Sequence, residues 1–271
     1  MNKNMEKRVS LPAGKLAALR KQLLQLTRIA VAYSGGVDST FLLFMAVETL
    51  GVENVVALQL HSRLQSRSGL VDSERVILDD FPGDIQFQRI EVTPLQWDRF
   101  VVNDKKRCYY CKKEMYTTLL TKARSMGFAK LADGTNVDDL QEDRPGLRAL
   151  EELGVFTPLE SAGFTKKEIR RAAEQLGLSN FDLPSNSCLA TRIVRNTTIT
   201  EADLQRVEEG EKVLQMLGFT GCRLRIGSEY TVIEIAEDDF QKFLVDGIRQ
   251  KIDVRFRQIG IKSPFLSLKG R

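Results

Sequence analysis

A glycine-rich turn near the start of the chain has residue types suited to binding phosphate. The segment Ser34-Gly35-Gly36-Val37-Asp38-Ser39 lies between an apolar run at 29–33 and a helical pattern at 39–50. Glycines let backbone N–H groups approach an anion, and a helix start adds partial positive charge. The turn therefore predicts a pyrophosphate site. It is neither a Walker A loop nor a Gly-x-Gly-x-x-Gly turn, and the alternative is a plain glycine turn with Asp38 as helix cap.

Three of the four cysteines have a placement that suggests sulfur or metal chemistry. Cys108 and Cys111 form a Cys-x-x-Cys among five basic side chains, which favour the thiolate, and Cys188 lies in an irregular stretch. Three thiolates can bind three irons of a 4Fe-4S cluster and leave the fourth iron open to exogenous sulfide. The alternatives are a zinc site completed by His61 and thiols that act independently. Cys222 is interpreted as a small strand residue.

Strands and helices alternate over the first part of the chain. The hydrophobic pattern predicts strands at 29–33, 55–60, 85–92 and 129–132, with helices at 39–50, 71–81 and 112–126. This order predicts an α/β fold with a doubly wound, Rossmann-like parallel sheet, which binds ligands at the carboxyl ends of its strands. The segment 133–139 follows a strand, so we expect it at the same edge as the glycine turn.

A different order of elements follows residue 180. A capping box at 165–168 opens a helix that ends at Gly177, and residues 180–198 then show no clear periodicity. Beyond them the pattern predicts a helix (201–217), two strands (222–226 and 230–235), a helix (about 238–258) and a strand (264–268). We therefore predict a first domain at 1–183 and a small α+β domain, preceded by a functional loop, at 184–271.

Composition excludes several classes of protein. With 271 residues, 42% of them hydrophobic, the chain can bury a core, so disorder is excluded. The longest apolar run, 41–47, is too short for a membrane span. Four cysteines are too few for the disulfide scaffold of a secreted protein. We therefore expect a soluble cytoplasmic protein. Residues 248–271 carry seven basic side chains and one acidic side chain, a net charge of +6. Because the whole chain has a net charge of +4, residues 1–247 have a net charge of −2. This segment is either a solvated face or a phosphate- or RNA-binding surface.

The Ser-Gly-Gly-x-Asp-Ser turn resembles the PP-loop of the adenine-nucleotide α-hydrolase superfamily. Members adenylate a carboxylate or a nucleobase oxygen with ATP and release pyrophosphate. The resemblance implies that Asp38 helps to hold Mg²⁺ and that ATP is bound by Ala32, Ser34, Gly35, Gly36, Asp38, Ser39, Gly134 and Thr135. The last two belong to an Asp-Gly-Thr-Asn turn that also matches the superfamily. Asp138 and Asp139 either join this site or are plain loop residues.

A set of further motifs resembles the LarE-type sulfur transferases over about residues 10–268. It comprises residues 107–113, 143–147 and 188–192 together with Glu211, Arg223, Arg225 and Glu234. These enzymes adenylate pyridinium-3,5-biscarboxylic acid mononucleotide and replace carboxylate oxygen by sulfur, which builds the nickel-pincer nucleotide cofactor of lactate racemase. The resemblance implies that Arg192, Arg223 and Arg225 bind the phosphate or carboxylates of this substrate. Glu211 and Glu234 would balance these arginines or receive protons, and the alternative for all five is surface ion pairing.

Two sulfur-transfer routes exist in this family. In one, the cysteine that matches Cys188 gives up its own sulfur and becomes dehydroalanine. In the other, three cysteines hold a 4Fe-4S cluster that delivers sulfide from a sulfur donor. Because Cys108 and Cys111 are present, we favour the cluster. Ser187 and Thr191 stand where many relatives have Pro and Ser, and neither change touches the sulfur chemistry.

Three hypotheses remain for the function. The first is the sulfur transferase, which the family resemblance implies to be a homo-oligomer without membrane or nucleic-acid partners. The second is a tRNA thiolase, since some of these enzymes also combine a PP-loop with three cysteines, although no RNA-binding module is recognisable here. The third is a non-catalytic nucleotide-binding or iron–sulfur storage protein, which would bind ATP without releasing pyrophosphate.

Overall fold

The computed structural model describes residues 12–81, 83–141, 145–184, 187–262 and 264–271. The chain divides into two compact units. The first takes its described residues from Met1–His61, Arg67–Val92 and Tyr109–Asn186, and the second from Ser62–Ser66, Thr93–Cys108 and Ser187–Arg271. The division at 186/187 lies close to the sequence-based boundary at 183/184, but two short segments of the N-terminal half also belong to the second unit.

The seven predicted strands and the helices predicted between them occur in the predicted order, and the described residues also form helices at 13–24, 98–101, 145–152 and 158–161 that the sequence analysis did not predict. The helices are α1 (Ala13–Leu24), α2 (Val37–Leu50), α3 (Arg67–Asp80), α4 (Asp98–Val101), α5 (Arg107–Ser125), α6 (Pro145–Glu152), α7 (Pro158–Ser161), α8 (Lys166–Leu176), α9 (Glu201–Met216), α10 (Phe240–Phe243) and α11 (Asp246–Gln258). The strands are β1 (Ile29–Ala32), β2 (Val55–His61), β3 (Gln86–Glu91), β4 (Leu131–Ala132), β5 (Arg223–Ile226), β6 (Thr231–Glu234) and β7 (Pro264–Leu266). Within these described residues, no helix has the length and apolar character that a membrane crossing requires.

A parallel sheet forms the centre of the first unit. Its strand order is β3-β2-β1-β4, and all three pairings are parallel. Ile29 and Val31 face an apolar cluster that includes side chains of α1, α2 and α8, whereas Ala30 and Ala32 face a cluster formed with α5 and α6. Because both faces of β1 are covered, the strand is apolar throughout. The α/β prediction is confirmed, and the carboxyl end of β1 is held in place from both sides.

The second unit is built on a smaller mixed sheet in the order β5-β6-β7. The β5–β6 pair is antiparallel and the β6–β7 pair is parallel. Its core includes Leu214 of α9, Leu224 of β5 and Phe256 of α11. The helix predicted at about 238–258 is in fact two helices, α10 and α11, separated at 244–245. The prediction of one helix was wrong because Asp246 and Gly247 favour a helix start over a helix interior.

Gly210 lets α9 pack closely against β5. A Cβ atom at this position would lie 2.3 Å from Cδ1 of Leu224 and 2.8 Å from Cδ1 of Ile261. Leu224 is fully buried and has little room to move. The close approach of the helix to the strand therefore requires glycine.

Gly210→Ala should lower the free energy of unfolding by about 1–3 kcal/mol, because overpacking forces buried side chains apart. Gly247→Ala is the matched control, since nothing lies within 4 Å of a Cβ there. The control should leave stability unchanged or raise it slightly. Urea denaturation of both variants measures the difference, and equal midpoints would contradict the packing argument.

Candidate functional site

The glycine turn lies at the carboxyl end of β1 and is closed by Ser39. The Ser39 hydroxyl donates to the carbonyl oxygen of Gly36 at 2.9 Å and accepts from the backbone N–H of Ser34 at 3.2 Å. The hydroxyls of Ser34 and Ser39 are 3.1 Å apart. Gly36 is the residue immediately before α2 and is exposed to solvent. The turn thus presents the start of α2 to an incoming anion.

Two features of the structure require glycine at position 35: its positive φ and the close approach of α3. Its φ is +78°, and a Cβ there would lie 2.2 Å from Cβ of Ser73 on α3 and 2.8 Å from Cα of the same residue. Ser73 is fixed by two hydrogen bonds: Gln59 Nε2 donates to its hydroxyl at 2.7 Å, and Tyr33 donates to its carbonyl at 2.9 Å. Ser73 therefore positions the turn, although nothing in its sequence context indicated such a role.

Asn180, which follows α8, connects the segment after this helix to the glycine turn. Its side-chain amide donates to the carbonyl oxygen of Gly35 at 2.8 Å and to the hydroxyl of Thr40 at 2.9 Å. Asn180 is fully buried. Sequence analysis placed it in an irregular loop and missed this contact, because 145 residues separate it from Gly35 along the chain.

The Asp-Gly-Thr-Asn turn lies against the start of α2, as its position after β4 predicts. A Cβ on Gly134 would lie 2.9 Å from the backbone nitrogen of Ser39. The backbone N–H of Thr135 donates to Asp133 at 2.8 Å, and the hydroxyls of Thr135 and Tyr116 also donate to this carboxylate. Burial alone would raise the pKa of Asp133, but the charge of Lys112 and these hydrogen bonds outweigh burial and lower it.

Asp38 is the charged group of the turn. Its Oδ2 accepts a hydrogen bond from the ammonium group of Lys166 on α8, while its Oδ1 is buried without a hydrogen-bond partner. Burial raises the pKa of Asp38, the charge of Asp139 adds to this effect, and Lys166 opposes it. A carboxylate with an unpartnered oxygen is a hard donor of the kind that Mg²⁺ prefers. Asp38 therefore fits the predicted magnesium ligand.

The two aspartates left open by sequence analysis have distinct places. Asp138 accepts from the backbone N–H of Lys166 at 2.7 Å and so caps the start of α8. Asp139 accepts from the backbone N–H of Asn136 at 3.1 Å and acts on Asp38 through its charge. Asp143 and Arg144 of the motif at 143–147 lie outside the described residues.

In the second unit, Arg107 organises the segment that carries Cys188. The guanidinium of Arg107 is buried and donates to the carbonyl oxygen of Ala190 at 2.8 Å and to Oδ1 of Asn103 at 2.5 Å. It also lies 3.8 Å from the sulfur of Cys108. Burial raises the pKa of Cys188, and the nearby Cys108 thiol raises it further. The positive charges of Arg107 and Arg192 lower it, but burial is the larger effect. Burial thus disfavours the thiolate of Cys188.

Asn103 is a second anchor of this segment that sequence analysis missed. It is buried and has a φ of 61°, a conformation that asparagine tolerates better than most residues. Its amide donates to the carbonyl oxygens of Val194 at 2.8 Å and Thr197 at 2.9 Å. Arg107 therefore holds the backbone within residues 188–192, and Asn103 holds the backbone that follows them.

The remaining cysteines and the histidine have local contacts. In the first unit, the Cys111 thiol lies 3.7 Å from the sulfur of Met115, and His61 pairs with Glu91. In the second unit, Cys222 is a buried core residue but lies just before β5 and not within it, and burial raises its pKa to about 12. The described part of the chain contains no group of three or more His, Cys, Asp or Glu side chains placed to hold a metal ion. A zinc or iron–sulfur site at the cysteines thus stays a prediction from the sequence.

Arg192 and Glu211 form a buried ion pair. Arg192 Nε lies 3.0 Å from Glu211 Oε1, and the two side chains are 7% and 10% exposed. Arg192 also donates to the carbonyl oxygen of Ser187 at 2.7 Å, and Glu211 accepts from the backbone N–H of Leu224 at 3.1 Å. Surface pairing does not describe this contact, since the pair ties the Cys188 segment to β5 inside the unit.

Arg223 and Arg225 share one face of β5, as their spacing predicts. The intervening Leu224 is buried in the core. Arg225 pairs with Glu234 at 2.9 Å, but Nε of Arg223 is buried and has no hydrogen-bond partner. Burial and the positive charges of Arg271, Arg192 and Arg225 lower the pKa of Arg223. A guanidinium so placed is suited to an anion such as a phosphate or a carboxylate.

The fold and the turn together define a class of protein. A parallel α/β unit has a glycine turn after its first strand and, at that turn, an aspartate with one buried carboxylate oxygen that lacks a hydrogen-bond partner. A small α+β unit with a cluster of arginines follows it in the chain. No family model matches the chain, but curated relatives do.

The relatives cover nearly the whole chain. It is 32% identical over 258 residues to the pyridinium-3,5-bisthiocarboxylic acid mononucleotide synthase of Lactiplantibacillus plantarum, covering 95% of this chain and 92% of that one. It is 33% identical over 256 residues to an uncharacterised protein of Synechocystis, covering 94% of each, and 30% identical over 252 residues to one of Methanocaldococcus jannaschii, covering 92% of each. The chain belongs to the LarE family, that of the pyridinium-3,5-bisthiocarboxylic acid mononucleotide synthase.

Glu211→Ala should lower the free energy of unfolding by about 3–5 kcal/mol, because it leaves the Arg192 guanidinium buried and unpaired. Glu234→Ala is the matched control, since Arg225 and Glu234 are 31% and 24% exposed and water replaces much of the lost contact. We expect the control to cost at least about 2 kcal/mol less. Urea denaturation followed by circular dichroism measures both, and equal losses would show that the Arg192–Glu211 pair has no special structural role.

Proposed function

We propose that the protein is an ATP-dependent, AMP-forming sulfur transferase. It adenylates the carboxylates of pyridinium-3,5-biscarboxylic acid mononucleotide and replaces them with thiocarboxylates, toward the nickel-pincer nucleotide cofactor. The observation that carries this proposal is Asp38, whose buried oxygen has no hydrogen-bond partner, at the glycine turn of a chain similar throughout to a named synthase. None of the four cysteines, all of which lie in the described residues, forms a disulfide, which suits a reaction in the reducing cytoplasm, and we expect a homo-oligomer.

The first step requires a leaving group. A carboxylate oxygen leaves poorly, so the substrate carboxylate attacks the α-phosphorus of ATP, the α–β phosphate bond breaks and pyrophosphate departs. In this chain, the backbone around Gly35 and Gly36 and the start of α2 would hold the departing phosphates. Asp38 would hold Mg²⁺, which supplies charge neutralisation when bound. Ser34 and Ser39 would add hydroxyl donors.

The substrate's own anionic groups need a counterpart in the second unit. Arg223 provides it, since its buried Nε is unpartnered and the neighbouring arginines repel it. Arg225 would contribute from the same strand face. Arg192 would act mainly by holding the Cys188 segment, because its hydrogen bonds are already occupied by Glu211 and Ser187.

The second step replaces the adenylated oxygen by sulfur. We propose the cluster route, in which Cys108, Cys111 and Cys188 would hold a 4Fe-4S cluster, and the cluster would supply sulfide that comes from a sulfur donor. What supports it is the presence of all three thiols and the contacts of Arg107 in the second unit, which lies 3.8 Å from the Cys108 sulfur and donates to the carbonyl oxygen of Ala190, two residues after Cys188. The alternative is sacrifice of the Cys188 sulfur. In either route AMP leaves with the former carboxylate oxygen.

Pyrophosphate formation should depend on the biscarboxylate mononucleotide and should fall at least about 100-fold in Asp38→Ala, since the cation loses its ligand. Asp84→Ala, at an exposed carboxylate of the first unit, is the matched control and should keep full activity. A coupled phosphate assay measures the rates.

Two results would contradict the proposed function. Pyrophosphate release that requires tRNA, together with tight and salt-sensitive tRNA binding, would favour a tRNA thiolase. ATP binding without pyrophosphate release, whatever acceptor is supplied, would favour a non-catalytic nucleotide-binding protein.

Metal and sulfide analysis of anaerobically prepared protein distinguishes the two sulfur routes. The cluster route predicts a brown protein with about four irons and four sulfides per chain, and loss of colour in Cys108→Ala. Cys222→Ala is the control and should keep the colour, because that thiol belongs to the core. Colourless protein that loses about 34 Da, the mass of H₂S, at Cys188 after one turnover would establish the sacrificial route instead.

A further inference from the structure

The small sheet of the second unit has two faces of different character. Leu224 of β5, Ile233 of β6 and Leu266 of β7 pack into the core that the sheet forms with α9 and α11. Successive side chains of a strand point to opposite faces, so the residue next to each of these three points away from the core. We call this second face the outer face of the sheet.

One row of residues on the outer face runs from a cation to an aromatic ring. Arg225 of β5 is paired with Val232 of β6, and Val232 is paired with Phe265 of β7. Side chains of residues directly opposite each other lie on the same face. Because neighbouring strands are about 4.8 Å apart, the backbones of Arg225 and Phe265 are about 10 Å apart, with Val232 between them.

The two apolar residues of this row remain accessible. Phe265 is 59% exposed, although burial of a phenylalanine side chain is favourable, and Val232 is half-buried. We call these two residues the apolar shelf. Neither the sequence motifs nor the contacts proposed above assign the shelf a role.

The other end of the row lies beside the segment that carries Cys188. Arg225 donates to the carbonyl oxygen of Thr191 at 2.7 Å, three residues after Cys188. Arg223, two residues before Arg225 on the same strand, has a buried Nε without a hydrogen-bond partner. The row thus connects an anion-binding position near the thiol segment with the apolar shelf.

A ligand that lies along this row would have anionic groups at one end and a flat apolar ring at the other. The proposed substrate has both, but its pyridinium ring also carries a positive charge, which the arginines of β5 repel. The carboxylate of Glu234 does not compensate, because Arg225 donates to both of its oxygens, at 2.9 and 3.1 Å. The face of an aromatic side chain attracts a cation and offers apolar contact at the same time.

We propose that the apolar shelf binds the pyridinium ring of the substrate, with Phe265 as its cation–π partner and Val232 beneath the ring. The arginines of β5 then hold the anionic groups, and a ring carboxylate faces the Cys188 segment. This inference rests on the proposed function and deepens it, because it names a residue that selects the substrate by the charge of its ring.

The test varies the charge of the ring and the aromatic character of residue 265. The two ligands are pyridinium-3,5-biscarboxylic acid mononucleotide and its isosteric C-nucleotide, in which an uncharged benzene ring replaces the pyridinium. Calorimetry on the full-length protein gives both dissociation constants and their ratio, benzene over pyridinium. Phe265→Leu should lower this ratio about fivefold relative to wild type, because the apolar contact stays and the cation–π attraction is lost. Phe265→Trp should keep or raise the ratio.

A ratio of two affinities separates this role from a folding defect, because a merely structural change weakens both ligands alike. Leu244→Ala is the control, at an exposed apolar residue between α10 and α11, and should change neither affinity. An unchanged ratio in Phe265→Leu would overturn the shelf. A lower mass of the Phe265→Leu protein in analytical ultracentrifugation would also overturn it, by assigning Phe265 to a contact between copies of the chain.

The shelf and the proposed function can fail separately. If the ratio falls in Phe265→Leu but the wild type releases no pyrophosphate with ATP and the biscarboxylate mononucleotide, the proposed function fails and the shelf stands. If the ratio is unchanged while pyrophosphate formation depends on Asp38, the shelf fails and the proposed function stands.

Discussion

The geometry of the first unit depends on how closely α3 approaches the glycine turn. Ser73 occupies the space that a side chain at Gly35 would need, and Ser73 itself is held by Gln59 and Tyr33 from β2 and the end of β1. The sheet therefore fixes the helix, and the helix fixes the turn. β1, which leads into the turn, is itself buried on both faces. This rigidity is what a phosphate site needs, since catalysis by positioned dipoles fails when the donors move.

The charged side chains that lack a full set of hydrogen-bond partners lie where we expect ligands to bind. In the second unit, Arg192 and Glu211 satisfy each other, and their pair serves the architecture of the Cys188 segment. Arg223, by contrast, has a buried nitrogen without a partner and is surrounded by like charge. In the first unit, Asp38 uses one oxygen for Lys166 and leaves the other unpartnered. An anion at Arg223 and a cation at Asp38 would complete both sets, and the substrate mononucleotide and the metal–ATP complex that we propose would supply them.

Local patterns predicted the parts of the fold and site that depend on neighbours in sequence. The alternation of apolar runs and helical patterns predicted the parallel sheet, and the position of residues 133–139 after β4 predicted their contact with the glycine turn. Ser73, Asn180 and Lys166 were missed as site residues because they reach the turn across 38 to 145 residues of chain, which no single-sequence pattern records. The break between α10 and α11 was missed because Asp246 and Gly247 act through local backbone preference inside an otherwise helical pattern.

The fate of one oxygen atom tests the central claim most directly. The substrate mononucleotide is labelled with oxygen-18 in both carboxylates, converted with ATP, and the AMP is analysed by mass spectrometry. If the protein adenylates a carboxylate and then replaces that oxygen by sulfur, each AMP must carry one oxygen-18 from the substrate. Thiocarboxylate formed with unlabelled AMP would mean that the carboxylate oxygen never reached the α-phosphorus, and the adenylation account would be wrong.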